Sequence, residues 1–290
     1  MRGFLGVVIL GGMFCAYWFG SAVALRMAPA HLPADSVQAD QIAVTGFPMR
    51  FDIAVDRPAL PARGWSADGL SLSLPSYWPF AATGTLSGPQ ELTWRGVDWR
   101  LDGPDMPVSF ALTPGLELTM ARLDARDLQL LGPVSGRLDS AALAVDKAGD
   151  PASRAVALDM AGLALGKMEI PRASLRAVLH MADAPRPPRV KQIDLSRAKI
   201  TMAEITVTAS GTLDRAPDGR LSGNLPLTVT NWRALLRMLQ ENGLVPADQA
   251  LMLQMMAERL GQGDTLSLPL TLKDSVVSLG PLALLELGPL

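Results

Sequence analysis

The chain has 290 residues, 49% of them hydrophobic but only 5% aromatic, and a formal net charge of -2. That length suits one large β domain or two smaller ones, and the near-neutral charge excludes a strong pull toward nucleic acid or an anionic surface. The single cysteine, Cys15, excludes an internal disulfide, and we assign it no chemistry.

The first segment, "GFLGVVILGGMFCAYWFGSAVAL", runs from Gly3 to Leu25 without a charge. As a helix it is about 34 Å long, enough to cross a hydrocarbon core of about 30 Å. Arg2 precedes it, and Tyr17, Trp18 and Phe19 stand toward its far end, where an aromatic belt forms at a membrane interface. Ala22-Val23-Ala24 resembles a signal-peptide cleavage site, but the run exceeds the usual apolar region of about 7–15 residues. The expectation is an uncleaved signal anchor over 1–25 in the bacterial inner membrane, single-pass, with the bulk of the chain in the periplasm. Either reading sends the remainder across a membrane. A polar connector, 26–41, follows.

From Ile42 to Leu290 the dominant signal is strand after strand. Phe51, Ile53 and Val55 alternate with polar or small residues, as do Leu70, Leu72 and Leu74. Leu92 and Trp94 lead to a break at Gly96, expected as a bulge, and Val97, Trp99 and Leu101 follow it. Val108, Phe110 and Leu112 run into Pro114-Gly115, and Leu116, Leu118 and Met120 return. Val156 to Leu165, Ala173 to Leu179 and Ile193 to Leu195 give weaker strand signals. "DAPRPPRV", Asp183–Val190, is a surface loop and a possible boundary between halves. "ITVTASGTLDRAPDGRLSGNLPLTV", Ile205–Val229, is a hairpin oily on one side only. Ile205, Val207, Ala209 and Leu213 share one parity, as do Leu221, Leu225, Leu227 and Val229, and Asp218-Gly219 supplies turn residues. Such strands, broken by Gly, Pro and Asp, predict an antiparallel all-β design.

The period changes over 231–261. Leu235, Leu236, Met238 and Leu239, then Leu251, Leu253, Met255, Met256 and Leu260, step by threes and fours. Two helices split near Gly243 and Pro246 are predicted, with Asn231 capping the first and Asp248 in the first turn of the second. Strand alternation then returns in Leu266, Leu268, Leu270 and Leu272, with Val277 and Leu279 pairing back. The fold class is mainly β. A large antiparallel sheet, curved and groove-like or else a sandwich, carries a late helical pair and follows one transmembrane helix.

"VTGFPMRFDI" after a span ending in "YWFG", "TASGTLDRAPDGRLSGNLPLTVTNW" before a helical pair, and the closing "GDTLSLPLTLKDSVVSLGPLALLELGPL" together resemble a family of uncharacterised membrane-anchored bacterial proteins, domain of unknown function twenty-one twenty-five. That family brings no catalytic residues to carry over. The last two stretches are also similar in style to the AsmA and TamB envelope proteins. That likeness implies an inner-membrane-anchored curved sheet with an apolar groove, linked to lipid traffic and envelope maintenance. This chain is too short to bridge two membranes alone.

Catalytic motifs are sparse. Ser196-Arg197-Ala198-Lys199 matches S-x-x-K, but it lies in strand-like sequence without the companion boxes. His31 and His180 are the only histidines, and neither belongs to a zinc or protease motif. No cofactor, metal site or catalytic residue is expected, and neither is enzymatic activity. The expected function is a lipid-binding or lipid-handling surface in envelope maintenance. Acyl chains, of phospholipid or another apolar ligand, would lie on Leu225, Leu227, Val229, Leu268, Leu270 and Leu272. Met238, Met252, Met255 and Met256 would form a helical lid, or simply pack as core. The alternative is a structural or assembly factor docking another envelope protein.

Overall fold

The computed structural model describes residues 13–24, 37–94, 96–182, 190–241, 254–255, 257–259, 261, 263–279 and 282–286. The chain divides into two compact units, Met1–Arg137 and Leu138–Leu290. The division falls well before the proline-rich stretch, of which residues 183–189 lie outside the described residues.

Unit 1 opens with a helix, α1, over 13–24. Eight strands follow: β1 (Gln41–Thr45), β2 (Arg50–Asp56), β3 (Ala59–Leu60), β4 (Trp65–Pro75), β5 (Ala81–Trp94), β6 (Val97–Asp102), β7 (Met106–Leu112) and β8 (Leu118–Leu131). These strands pair antiparallel: β1 on β2, β2 and β3 on β4, β4 on β5. β5 and β8 are long enough to hold two short strands end to end. β5 pairs β7 through Ala81–Leu86 and β6 through Gln90–Trp94, and β8 pairs the same two strands. The break at Gly96 is therefore a hairpin turn and not a bulge. Trp94 pairs with Val97 across it, and Gly96 holds φ +73°, which glycine adopts without a Cβ clash.

Residues paired across neighbouring strands project to one face. Val44, Ile53, Phe51, Leu74, Leu72, Ala82 and Phe110 share such a face and form the core of unit 1. α1 closes this core. Trp18, 4% exposed, stacks on Phe51 at 5.2 Å between ring centres, and its Nε1–H donates to Arg50 O at 3.0 Å. Ala22 is buried beside it. Trp18 therefore faces protein and does not belong to an aromatic belt, whereas Tyr17 and Phe19 are exposed. No helix among the described residues is long and apolar enough to cross a membrane. Residues 1–12 and 25 of the expected anchor and 26–36 of the connector, His31 included, lie outside the described residues. The connector's Gln38 makes an isolated bridge to Ala59.

Unit 2 holds β9 (Gly136–Lys147, which begins at the division), β10 (Ser153–Leu165), β11 (Met168–Met181), β12 (Val190–Met202), β13 (Ile205–Arg215), β14 (Leu221–Thr230), helix α2 (Trp232–Glu241), β15 (Thr265–Lys273), β16 (Val276–Leu279) and β17 (Leu282–Glu286). Each strand from β9 onward pairs antiparallel or by hydrogen bonding with the next in sequence. The weak strand signals belong to some of the longest strands. β12 explains why: Leu195 pairs with Gly211 and Ala198 with Ala209, so Ser196 and Arg197 together oppose one residue. That bulge switches the parity of the apolar positions from Ile193 and Leu195 to Ala198 and Ile200, which breaks a strict period of two. The hairpin of β13 and β14 turns through Ala216–Arg220, with Gly219 at φ +89° and Asp218 Oδ1 accepting from Arg220 N at 3.1 Å.

The late helical pair is present: α2, then helical residues at 254–255 and 257–259. Asn231 does not cap α2 with its side chain. It stands at φ +58°, and its Nδ2 donates to Glu204 Oε2 at 3.3 Å. The start of α2 is tied instead through Trp232, whose Nε1–H donates to Gly263 O at 3.2 Å, and Arg233, which pairs with Asp264. Asp248 lies outside the described residues.

Candidate functional site

The register of unit 2 aligns one apolar ribbon across its strands. Leu158 pairs with Leu175, Leu175 with Ala198, Ile193 with Leu213, and Val207 with Val229. Leu225 pairs with Leu270, Leu227 with Leu268, Leu270 with Leu279. Four of the six expected groove residues thus meet one another in cross-strand pairs on this face, while Val229 stands opposite Leu266 and Leu272 opposite Gly223 and Val277.

Burial divides the six. Val229, Leu270 and Leu272 are closed in core, at 2%, 8% and 3% exposure. Leu225, Leu227 and Leu268 remain half-buried. One buried cluster, Leu213, Leu221, Leu270, Leu272 and Val277, lies at one end of the ribbon. A second, Val229, Trp232, Ala257 and Leu266, lies under the helices. Leu227 and Leu268 pack against both clusters and span the strip between them. Toward β10 and β12 the same face continues through Leu158, Leu175 and Leu195, again only half-buried. These leucines keep part of their apolar surface uncovered.

Among the described residues, the helical cover meets the sheet through an aromatic and aliphatic side chains. Trp232, Leu235, Leu236 and Ala257 pack on the sheet. Met238 is half-buried, Met255 is 54% exposed, and Met252 and Met256 lie outside the described residues. Trp232 and Ala257 carried no separate sequence signal, because a single tryptophan at a strand-to-helix junction looks the same whether it packs inward or outward.

On the opposite face, polar side chains form hydrogen-bonded rows. The longest begins at the β9–β10 turn. Ser153 Oγ lies 3.1 Å from Asp150 Oδ2 and 2.8 Å from His180 Nδ1, His180 Nε2 lies 2.7 Å from Asp194 Oδ2, and Thr212 Oγ1 donates to Asp194 Oδ1 at 2.8 Å. The Thr212 hydroxyl, and then His180, hold the Asp194 carboxyl below its usual range. Serine, histidine and aspartate in a row resemble a nucleophile relay, but Ser153 is 1% exposed and cannot meet a substrate. The row cross-links the β9–β10 turn to β13. Sequence spacing concealed it, since its members sit on separate strands.

Ser196 and Lys199 are brought no closer to chemistry. They lie on one strand, Ser196 in the bulge and Lys199 opposite Thr208. On a helix, three positions apart means one face, whereas on a strand it spans about 10 Å. Beside the bulge is a shallow depression of about 280 Å³ lined mostly by Ser196, Arg197, Thr208, Ser210 and Thr228, a solvent-facing polar hollow. Among the described residues no group of three Asp, Glu, His or Cys side chains gathers to hold a metal.

No curated protein and no solved structure matches the chain, and nothing in these comparisons supports a likeness to AsmA or TamB. One family model does match, over residues 22–287, reaching into both units and covering every strand described above. The chain belongs to the family described as an uncharacterized protein conserved in bacteria, DUF2125.

Proposed function

We propose that this is a non-enzymatic, inner-membrane-anchored periplasmic protein that binds the acyl chains of phospholipid or a similar apolar ligand on the ribbon of unit 2. The carrying observation is the half-buried strip of Leu227 and Leu268 between two closed clusters, continued by half-buried Leu225. An acyl chain laid there gains about 0.8 kcal/mol for each methylene it buries. The uncharged run Gly3–Leu25 supports the location.

The test is site-specific photo-crosslinking in living cells, with a photoreactive residue placed at Leu227 or, on the other face, at Thr228 of the full chain. A lipid-mass adduct at 227 and none at 228 is expected. Equal lipid capture at both positions removes the proposed face. Adducts only to another protein at 227 transfer the surface to an assembly role.

A further inference from the structure

Unit 1 displays six large apolar side chains, five of them aromatic, that its core leaves largely exposed. Tyr17 and Phe19 of α1 are 44% and 56% exposed, Phe47 and Met49 of the β1–β2 turn 46% and 65%, and Tyr77 and Trp78 after β4 73% and 53%. They form one patch. Phe19 stacks on Phe47 at 5.5 Å, and the Tyr17 hydroxyl donates to Ser76 O at 3.2 Å. Ser76, itself 1% exposed, joins the two turns: its hydroxyl donates to Pro48 O at 2.7 Å and its N–H to Met49 O at 3.0 Å. Buried hydrogen bonds thus fix turns whose large apolar side chains point outward. A contiguous exposed patch of this kind marks an interaction surface.

The occupant follows from what leads into the patch. The chain from Gly3 to Leu25 carries no charge, and its last part is used by protein, because Trp18 and Ala22 are buried against β1, β2 and β4. The stretch left for lipid therefore ends near Tyr17, where the patch lies. As a helix, the sequence from Gly3 to Tyr17 would span about 21 Å, shorter than a hydrocarbon core of about 30 Å. A short span is accommodated by local thinning of the bilayer, which brings the protein at its end to the level of the interface. Tyrosine and tryptophan suit that level, with an apolar ring and a polar tip. Arg50, next to Met49, brings no free charge to the rim, since it is paired with Asp52 at 2.6 Å.

We propose that Tyr17, Phe19, Phe47, Met49, Tyr77 and Trp78 seat unit 1 in the headgroup–acyl boundary of a lipid bilayer. This rests on the membrane-anchored reading above, and it makes unit 1 a rigid foot and not a domain swinging on a tether.

The test uses the full chain with Cys15→Ala and one new cysteine, Tyr77→Cys or Met49→Cys, carrying an environment-sensitive fluorophore. Val134→Cys, between β8 and β9, is the control at another exposed apolar position. The protein is reconstituted in phosphatidylethanolamine–phosphatidylglycerol vesicles, with and without lipids bearing a quencher near the headgroup. The expected result is a blue shift and loss of emission at 77 and 49, with neither at 134. Chain that floats with the vesicles but leaves 77 and 49 in water overturns the foot and leaves the anchor standing. A blue shift without lipid quenching gives the patch to a second copy of the chain and also overturns it. Chain that does not float removes both readings. Agreement of the two label sites guards against a local folding defect at either.

Discussion

Asp194 is the residue whose surroundings bear most clearly on its chemistry. Its carboxyl is held below the usual range first by the Thr212 hydroxyl and then by His180. A carboxylate with a depressed folded pKa adds stability above its unfolded value, and that stability is lost as pH falls through the folded value. Thr212→Val should therefore raise the Asp194 titration midpoint, followed by carboxyl NMR, and shift acid unfolding to higher pH. His180→Asn should move it the same way by less. A midpoint unchanged in both would mean the row does not act on Asp194. Gly211 makes a steric demand instead. It stands at φ +152°, and a Cβ there would lie 2.0 Å from Asn224 O, so Gly211→Ala is expected to cost about 1–3 kcal/mol in urea unfolding.

α2 is held to the sheet by one buried side chain, Trp232, with Leu235 and Leu236 packed beside it. Trp232 is 3% exposed and joins Val229, Leu266 and Ala257. Trp232→Ala should cost about 3–5 kcal/mol and release α2, seen as lost amide protection over its length. Trp232→Phe keeps most of the packing but loses the bond to Gly263 O, a cost of about 1 kcal/mol. Similar losses in the two variants would show that the hydrogen bond, and not the ring, holds the helix. β12 shows an element whose local sequence disguises it, because a single bulge at Ser196 and Arg197 makes one strand look like two.

At the scale of the whole molecule, the anchored reading sets a topology. The full chain should stay with membranes through alkaline extraction, and alkaline phosphatase fused after Leu290 should be active, since that enzyme matures only in an oxidising compartment. An inactive fusion on a stable chain would place the bulk of the protein on the other side. The groove reading makes its own demand on function: Leu227→Asp should abolish lipid capture by the purified full chain, measured by native mass spectrometry, while Thr228→Asp on the opposite face should not.

Alternation of apolar and polar residues was enough to foretell a mainly β chain. It also gave the hairpin of β13 and β14 and the grouping of Leu225, Leu227, Leu268 and Leu270 on one face, because in a strand the direction of each side chain depends only on parity. The change of period over 231–261 likewise announced helices. Tertiary structure alone decided what covers each face. Trp18 turned inward onto Phe51 while its neighbours stayed outside, and Val229 closed under Trp232 while Leu227, two residues away, stayed half-open. Burial is set by which distant segment arrives above a residue, and neither parity nor composition carries that information.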